Sequence, residues 1–468
     1  MAYTADGIVV EGIPVKSLET LEIRCAPGDH GYLELSGYLE EEGEAVVYGL
    51  PEHAPISVLT SEGEILFTGL ITESCMKGEG DTGFLSITAR TSSIQMDQKK
   101  RSRSFQNTEM TYSQLARTVL ADYPGGEIML FVPEIPIGEI AVQYRETDWQ
   151  FLKRMLSQLC AVLTCKTDSP MIHLYGGVPD IPSKGWVYEK TGFCKEMGEY
   201  AYWLQQGAMV SDDSFLVTDI KTEHIPEIFE QVKEAGQIQV VKETTFRMEK
   251  GLLHILCRLQ KKQGILQKRE YPMHLIGTAL EGTVAAVSGI QLKIHLSIDE
   301  GGTADEYWFP FSTLSASTDG SGWYYMPETG DSVRVYFPTK YTRDAIAVSA
   351  VSAYDGKEAD GKPDRMGSPS TKYLSNPSGQ EIKMAEDGVS LSCSGGSASV
   401  TIGNEGDITL YAANTLMIQA TNDVELSAET ELSLEAAQTA VVNCAMGGTI
   451  QMQPGGLLLI QGTEVKVD

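Results

Sequence analysis

Between Val400 and Ile460, apolar residues recur every eight positions in three parallel columns. The first reads Ile402, Leu410, Ile418, Leu426, Leu434, Val442, Ile450 and Leu458. A second, two residues earlier in each unit, runs Val400, Ile408, Leu416, Val424 and Leu432 before fading through Ala440 to Gly448 and Gly456. A third, two residues later, holds Ala412, Ala420, Ala428, Ala436, Cys444, Met452 and Ile460. Within each unit the apolar positions alternate with Thr, Ser, Gln or Glu, so they line one face of a short strand and the remaining residues turn. The pattern predicts stacked short strands.

Each unit in such a stack buries its apolar side only against its neighbours, so the expected product is a rod without a cleft. Either one chain coils with three octads per turn, or three chains interleave and each supplies one octad per layer. The three-chain arrangement is favoured because it hides strand edges against partner chains, and open edges invite aggregation. With strands ~4.8 Å apart, eight layers give a needle roughly 40 Å long. The trimer core is assigned to Ile402, Ile408, Leu410, Leu416, Ile418, Val424, Leu426, Leu432, Leu434, Val442, Ile450 and Leu458.

The rest of the chain also reads as mainly β. Ile56-Ser-Val-Leu, Ile65-Leu-Phe-Thr-Gly-Leu-Ile and Phe84-Leu-Ser-Ile-Thr predict strands and a barrel over 1–100. Residues 101–164 form a helical connecting segment. Thr111 with Gln114 makes one capping box, and Thr147 with Gln150 a second, each before an apolar helical stripe. A second barrel is expected over 165–272, with a short helix near Pro226 to Ala235. Over 273–354, Ile290, Leu292, Ile294, Leu296 and Ile298 alternate with polar residues, and Val333, Val335 and Phe337 repeat the pattern, which fits a compact five-stranded barrel. Residues 355–380 have linker composition, and 381–468 carry the octads.

The 468 residues suffice for several domains, and 36 Lys and Arg against 64 Asp and Glu give a net charge of −28. That balance repels nucleic acid and anionic lipid, so neither is expected as a partner. The start, Met1-Ala-Tyr-Thr-Ala-Asp, shows no secretory signal, which predicts synthesis in the cytoplasm. The eight cysteines are scattered without CxxC pairs and read as buried thiols.

Candidate chemistry is sparse. Gly78, Gly80 and Gly83 satisfy G-x-G-x-x-G, but Glu79 and Asp81 would repel phosphate and a strand follows, which predicts a hairpin loop. Gly356 to Lys362 fits a phosphate-loop spacing, yet Pro363 stands where a hydroxyl and an N–H are needed. His30, His53, His173, His224, His254, His274 and His295 show no metal-binding spacing, and no nucleophile elbow appears. No catalytic, cofactor or metal residue is assigned, and a non-enzymatic role is expected. The basic run Lys99-Lys100-Arg101-Ser-Arg103 is either a solvated face or an interface with an acidic subunit.

Several segments together resemble the VgrG family, the hub-and-spike proteins of type VI secretion systems, phage contractile tails and related injection particles. They are Arg101-Ser-Arg-Ser-Phe-Gln-Asn107, Val142-Gln-Tyr-Arg-Glu-Thr-Asp-Trp149 before Phe151-Leu-Lys-Arg-Met-Leu, and Pro310-Phe311, Gly322-Trp323 and Pro327-Glu-Thr-Gly-Asp-Ser-Val-Arg-Val335, followed by the octads. The resemblance implies a homotrimer with two hub barrels per chain, an OB-fold module and a triangular β-helical needle. It implies a hub that adapts a hexameric tail tube to a threefold spike, partnered by tail-tube and baseplate proteins and touching the target envelope mechanically. The short linker leaves no room for an inserted lysozyme domain, no effector domain is expected after Asp468, and no histidine follows His295 to make an iron-binding tip. The apolar end at Leu457-Leu-Leu-Ile, Val465 and Val467 predicts a separate PAAR-type tip protein. The alternatives are a β-helical polysaccharide-binding or -cleaving protein, disfavoured because Tyr411 is the one aromatic residue in the octads, and a trimeric adhesin, disfavoured by the missing export signal.

Overall fold

The computed structural model describes residues 3–40, 43–78, 83–185, 187–234, 236–299, 305–315, 317, 324–351 and 367–466. The chain divides into two compact units, Met1–Val351 and Ser352–Asp468. Strands dominate both.

In the first unit the two strand-rich stretches share one eleven-stranded sheet. The N-terminal strands Ile8–Glu11, Pro55–Thr60, Ile65–Lys77, Phe84–Arg90, Tyr32–Leu39 and Val15–Cys25 follow one another across it, and Gln237–Glu249, Leu252–Gln260, Leu216–Thr222 and Tyr188–Lys195 continue it. The seam is the antiparallel pairing of Val15–Cys25 with Gln237–Glu249, where Phe246 faces Ile23 and Arg247 faces Glu22. Arg247 also reaches the Glu22 carboxylate at 3.3 Å. One apolar core serves both stretches, with Ile23, Leu35, Phe67, Phe229, Phe246 and Ile255 all buried in it. Burial at this seam makes the two stretches one folding body, since neither face can be exposed without opening the shared core.

Gly78 and Gly83 lie between the paired strands Ile65–Lys77 and Phe84–Arg90, as a hairpin requires, while Gly80 lies outside the described residues. The phosphate-loop spacing at 356–362 also falls outside them. Both capped helices form: Tyr112–Leu120 and Asp148–Ser157 each start on a complete capping box. The helix expected near 226–235 does not, because Phe229 adopts φ 67° and Gln231–Glu234 pairs as a strand with Gln237–Glu249. Helix Met197–Gln205 was not signalled by sequence, and its N-cap, Glu196, makes no side-chain cap. Of the eight free cysteines, Cys25, Cys165 and Cys257 are buried, but Cys75, Cys194 and Cys444 are exposed, which corrects the expectation of uniformly buried thiols.

The five-stranded sheet of Ala279–Ser288, Gln291–Leu296, Trp308–Pro310, Ser332–Tyr336 and Ile346–Ser349 places Ala279–Ser288 at its centre. A parallel bridge from Phe311 to Ala347 joins the two ends of the strand order. Leu292, Ile294 and Leu296 are fully buried, as their alternation requires, whereas Ile290 is 65% exposed at the turn.

The second unit is an antiparallel meander. Strands Lys372–Ser375, Glu381–Ala385, Gly388–Cys393, Ala398–Gly403 and Ile408–Ala412 pair in sequence order, and Ala440–Asn443, Thr449–Gln453 and Leu457–Gln461 form a second sheet. Pairing begins at Lys372, inside the stretch read as linker. Successive octads fold back on one another, so the single-chain coil is not formed among the described residues. The octads between 413 and 439 form no strand within the single chain.

Candidate functional site: an ionic junction and an uncovered apolar face

The segments Arg101–Asn107 and Val142–Trp149 are far apart in sequence yet meet as one ribbon. Lys100–Phe105 pairs antiparallel with Ala141–Thr147, which sets Arg103 opposite Gln143. Asp148, the first residue of its helix and fully buried, gathers the ribbon's charges. It accepts from Arg103 Nη2 at 2.8 Å, Gln143 Nε2 at 2.9 Å and Tyr123 Oη at 2.7 Å, and Arg101 Nε lies 3.1 Å away. The helix N-terminus adds its own positive end to these donors. Arg103 Nε also donates to Gln143 Oε1 at 2.8 Å. Burial and the facing Asp148 carboxylate push the Tyr123 hydroxyl well above its ordinary value. A second buried pair lies beside the first: Arg154 Nε and Nη2 grip Glu146 at 2.8 and 2.7 Å, and Nη2 also donates to the Val142 carbonyl at 2.8 Å. Such forked geometry satisfies both charges where water is excluded.

The ribbon's other side holds the five-stranded barrel. Ser104 donates from N and Oγ to the two oxygens of Asp299 at 2.5 and 2.6 Å, and Gln106 Nε2 donates to the Ile294 carbonyl at 3.0 Å. Burial raises the Asp299 carboxyl above its ordinary value, although the Ser104 donors pull it down. Ile140 and Val142 enter the barrel's own core beside Leu280, Ile294 and Phe337. On the helical side, Phe105 stacks on Phe151 with centroids 5.4 Å apart. The ribbon is therefore a bracket between helices and barrel.

One row of groups has the composition of a nucleophilic triad. His30 Nδ1 lies 2.7 Å from Ser93 Oγ, and its Nε2 lies 3.6 Å from Asp97. Ser93 is fully buried and the Trp149 ring lies tilted against the imidazole with centroids 4.1 Å apart, so no substrate reaches the hydroxyl in this conformation. The row instead supports the second helix, because Thr147, its N-cap, donates to Asp97. Among the described residues no group of His, Cys, Asp and Glu is placed to hold a metal ion.

The other candidate site lies in the second unit. All twelve residues assigned to the trimer core are exposed in the single chain, from 43% for Ile450 to 77% for Leu434. Pairing sets Val400 opposite Leu410 and Ile402 opposite Ile408, and in the second sheet Val442 opposite Ile450. The apolar face extends earlier than the octads, through Ile382 opposite Leu391 and Met384 opposite Val389. Sequence reasoning missed these because their spacing departs from eight, although Glu381-Ile-Lys-Met-Ala385 carries the two-residue alternation of a strand.

The phage tail baseplate hub family (GPD) matches residues 50–165, which include the first helix, the ribbon and the second helix. In fold, the chain is similar to the Escherichia coli c3393 protein, described as a type VI secretion system component with structural similarity to the T4 bacteriophage tail proteins gp27 and gp5. That match has a TM-score of 0.54 at 11% identity and covers 73% of this chain and 98% of the other. It is likewise similar to the lidded Francisella PdpA-VgrG complex, with a TM-score of 0.52 at 9% identity over 84% of this chain and 76% of the other. No curated protein matches. The chain thus has a mainly β, VgrG-like hub fold, similar to that of phage tail and type VI secretion components, and its residues 50–165 match the baseplate hub family.

Two outcomes test the junction. Asp148→Asn leaves two guanidinium groups facing a neutral amide and should cost about 2–3 kcal/mol, less than a wholly buried pair because both arginines are partly wet. Asp122→Asn, at the exposed rim, should cost under about 1 kcal/mol, and denaturation midpoints of the two variants separate these values. For Asp97, burial acts upward, but His30 and Thr147 outweigh it and hold the carboxyl below its ordinary 3.8. A depressed folded value means that the unfolded chain binds the proton more readily, so this stabilisation is complete above pH 3.8 and is lost as pH falls through the lower folded value. The stability gap between wild type and Asp97→Asn should shrink as pH falls below 3.8.

Proposed function

We propose that the chain is the trimeric central spike and baseplate hub of a contractile injection system. In this reading the first unit supplies the adapter that meets a tail tube, and the second supplies a threefold, membrane-puncturing needle. The protein does mechanical work without turnover. The observation that carries the proposal is the one-sided apolar face of the second unit, whose columns lie exposed in a single chain. A face of this extent is covered in the functioning protein.

Three copies cover it economically. Each antiparallel meander presents its apolar side to the other two around a common axis, with one octad per chain in each layer, which gives a triangular β-helix or prism. The five-stranded unit supports an OB-fold reading, because its first, fourth and fifth strands run in order from the centre and the parallel Phe311 to Ala347 bridge joins the third to the fifth. Gly322 and Trp323 of the motif that suggested it lie outside the described residues. Tail-tube and baseplate proteins are the partners this architecture calls for, consistent with the similarity to components of such assemblies. Leu457, Leu458, Ile460 and Val465 stay exposed at the end of the meander, which supports a PAAR-type tip protein there; Val467 lies outside the described residues. The chain would be assembled into the particle from the cytoplasm, then retained or released with it.

Adjacent residues on opposite faces provide the test. Leu410→Asp places three carboxylates around the proposed axis and should abolish the trimer at micromolar concentration in sedimentation experiments. Thr409→Asp, on the polar face, should leave it intact. Equal behaviour of the two variants would refute the assignment of the apolar face.

A further inference from the structure

The basic run of this acidic chain splits into two sets. Arg101 and Arg103 are committed to Asp122 and Asp148. Lys99 and Lys100, just before them, are exposed. Lys100 sits opposite Thr147 on the ribbon, and across from it the register shifts between Arg101 and Ser102. That shift extrudes Arg145, which is exposed and adopts φ 52°. This left-handed conformation is uncommon for a long side chain and costs energy wherever it is held. Here it is held on both sides: the Arg145 amide donates to Ser102 Oγ at 3.2 Å, and the guanidinium lies 5.2 Å from the centre of the Tyr144 ring. None of the three cations has an ion-pair partner among the described residues.

We propose that Lys99, Lys100 and Arg145 form a docking face for an acidic surface of another protein subunit. The inference rests on the hub reading above and assigns one of its contacts. A strained backbone that aims an unpaired arginine outward, pre-ordered over Tyr144, lowers the entropy lost when a carboxylate binds it. In a chain of net charge −28, three uncompensated cations at one ribbon end create a local well for an anionic partner. The partner is a protein and not a nucleic acid: three cations meet too few phosphates to offset the repulsion between a polyphosphate and a chain of net charge −28.

Lysine reactivity provides the test. Injection particles purified from producing cells, and the free full-length chain, would be treated with sulfosuccinimidyl acetate and read by peptide mass spectrometry. Lys99 and Lys100 should acetylate roughly fivefold or more slowly in the particle than in the free chain, because an interface core excludes reagent. A zero-length carbodiimide should link one of them to an Asp or Glu of a different protein, and the link should vanish in the Lys99→Gln/Lys100→Gln chain. Lysines that react equally fast in particle and free chain would overturn the docking face while leaving the hub reading intact. So would links only to this same chain, or protection that nuclease removes. A particle that lacks the chain would overturn the hub reading, and the docking face with it.

Discussion

A β-sheet with one apolar face cannot leave that face in water. The second unit presents Ile382, Val389, Val400, Ile402, Ile408 and Leu410 on one side of a continuous meander, all of them substantially exposed. Each such side chain is roughly half exposed, so covering it contributes about half of the 1.5–3 kcal/mol of full burial, and the face as a whole favours association. The octads between 413 and 439, which form no strand in the single chain, point the same way.

The first unit hides its apolar surface within itself. Its seam welds two strand-rich stretches into one sheet over a common core, and the ribbon of Lys100–Phe105 and Ala141–Thr147 ties helices to barrel. The ribbon works because charge is balanced where it is buried. Arg101 and Arg103 would be costly without Asp148, and Asp148 would be costly without them. Ser104 and Asp299 extend the same logic to the barrel. The Ser93, His30 and Asp97 row serves helix capping behind Trp149.

Local rules in the sequence predicted a good deal of this. Both capping boxes, the alternation of Leu292, Ile294 and Leu296, and the octad columns obey periodicities that need no tertiary context. What escaped was decided by distant pairing. The helix expected near 226–235 lost to a strand because Gln237–Glu249 offers Gln231–Glu234 a partner that propensity cannot foresee. The basic run read as one feature, yet two of its arginines were claimed by carboxylates 19 to 47 residues away, and Arg145, outside the run, joined the rest. The apolar face before Val400 was hidden because its turns vary in length, which breaks the period while preserving the alternation.

The central claim is that this face is closed by two further copies of the same chain, and the native mass of the intact protein addresses it most directly. The account predicts a species of about 153 kDa, three times the 51.0 kDa chain, at micromolar concentration and physiological salt. A folded, soluble species at 51.0 kDa with the apolar face intact would contradict it.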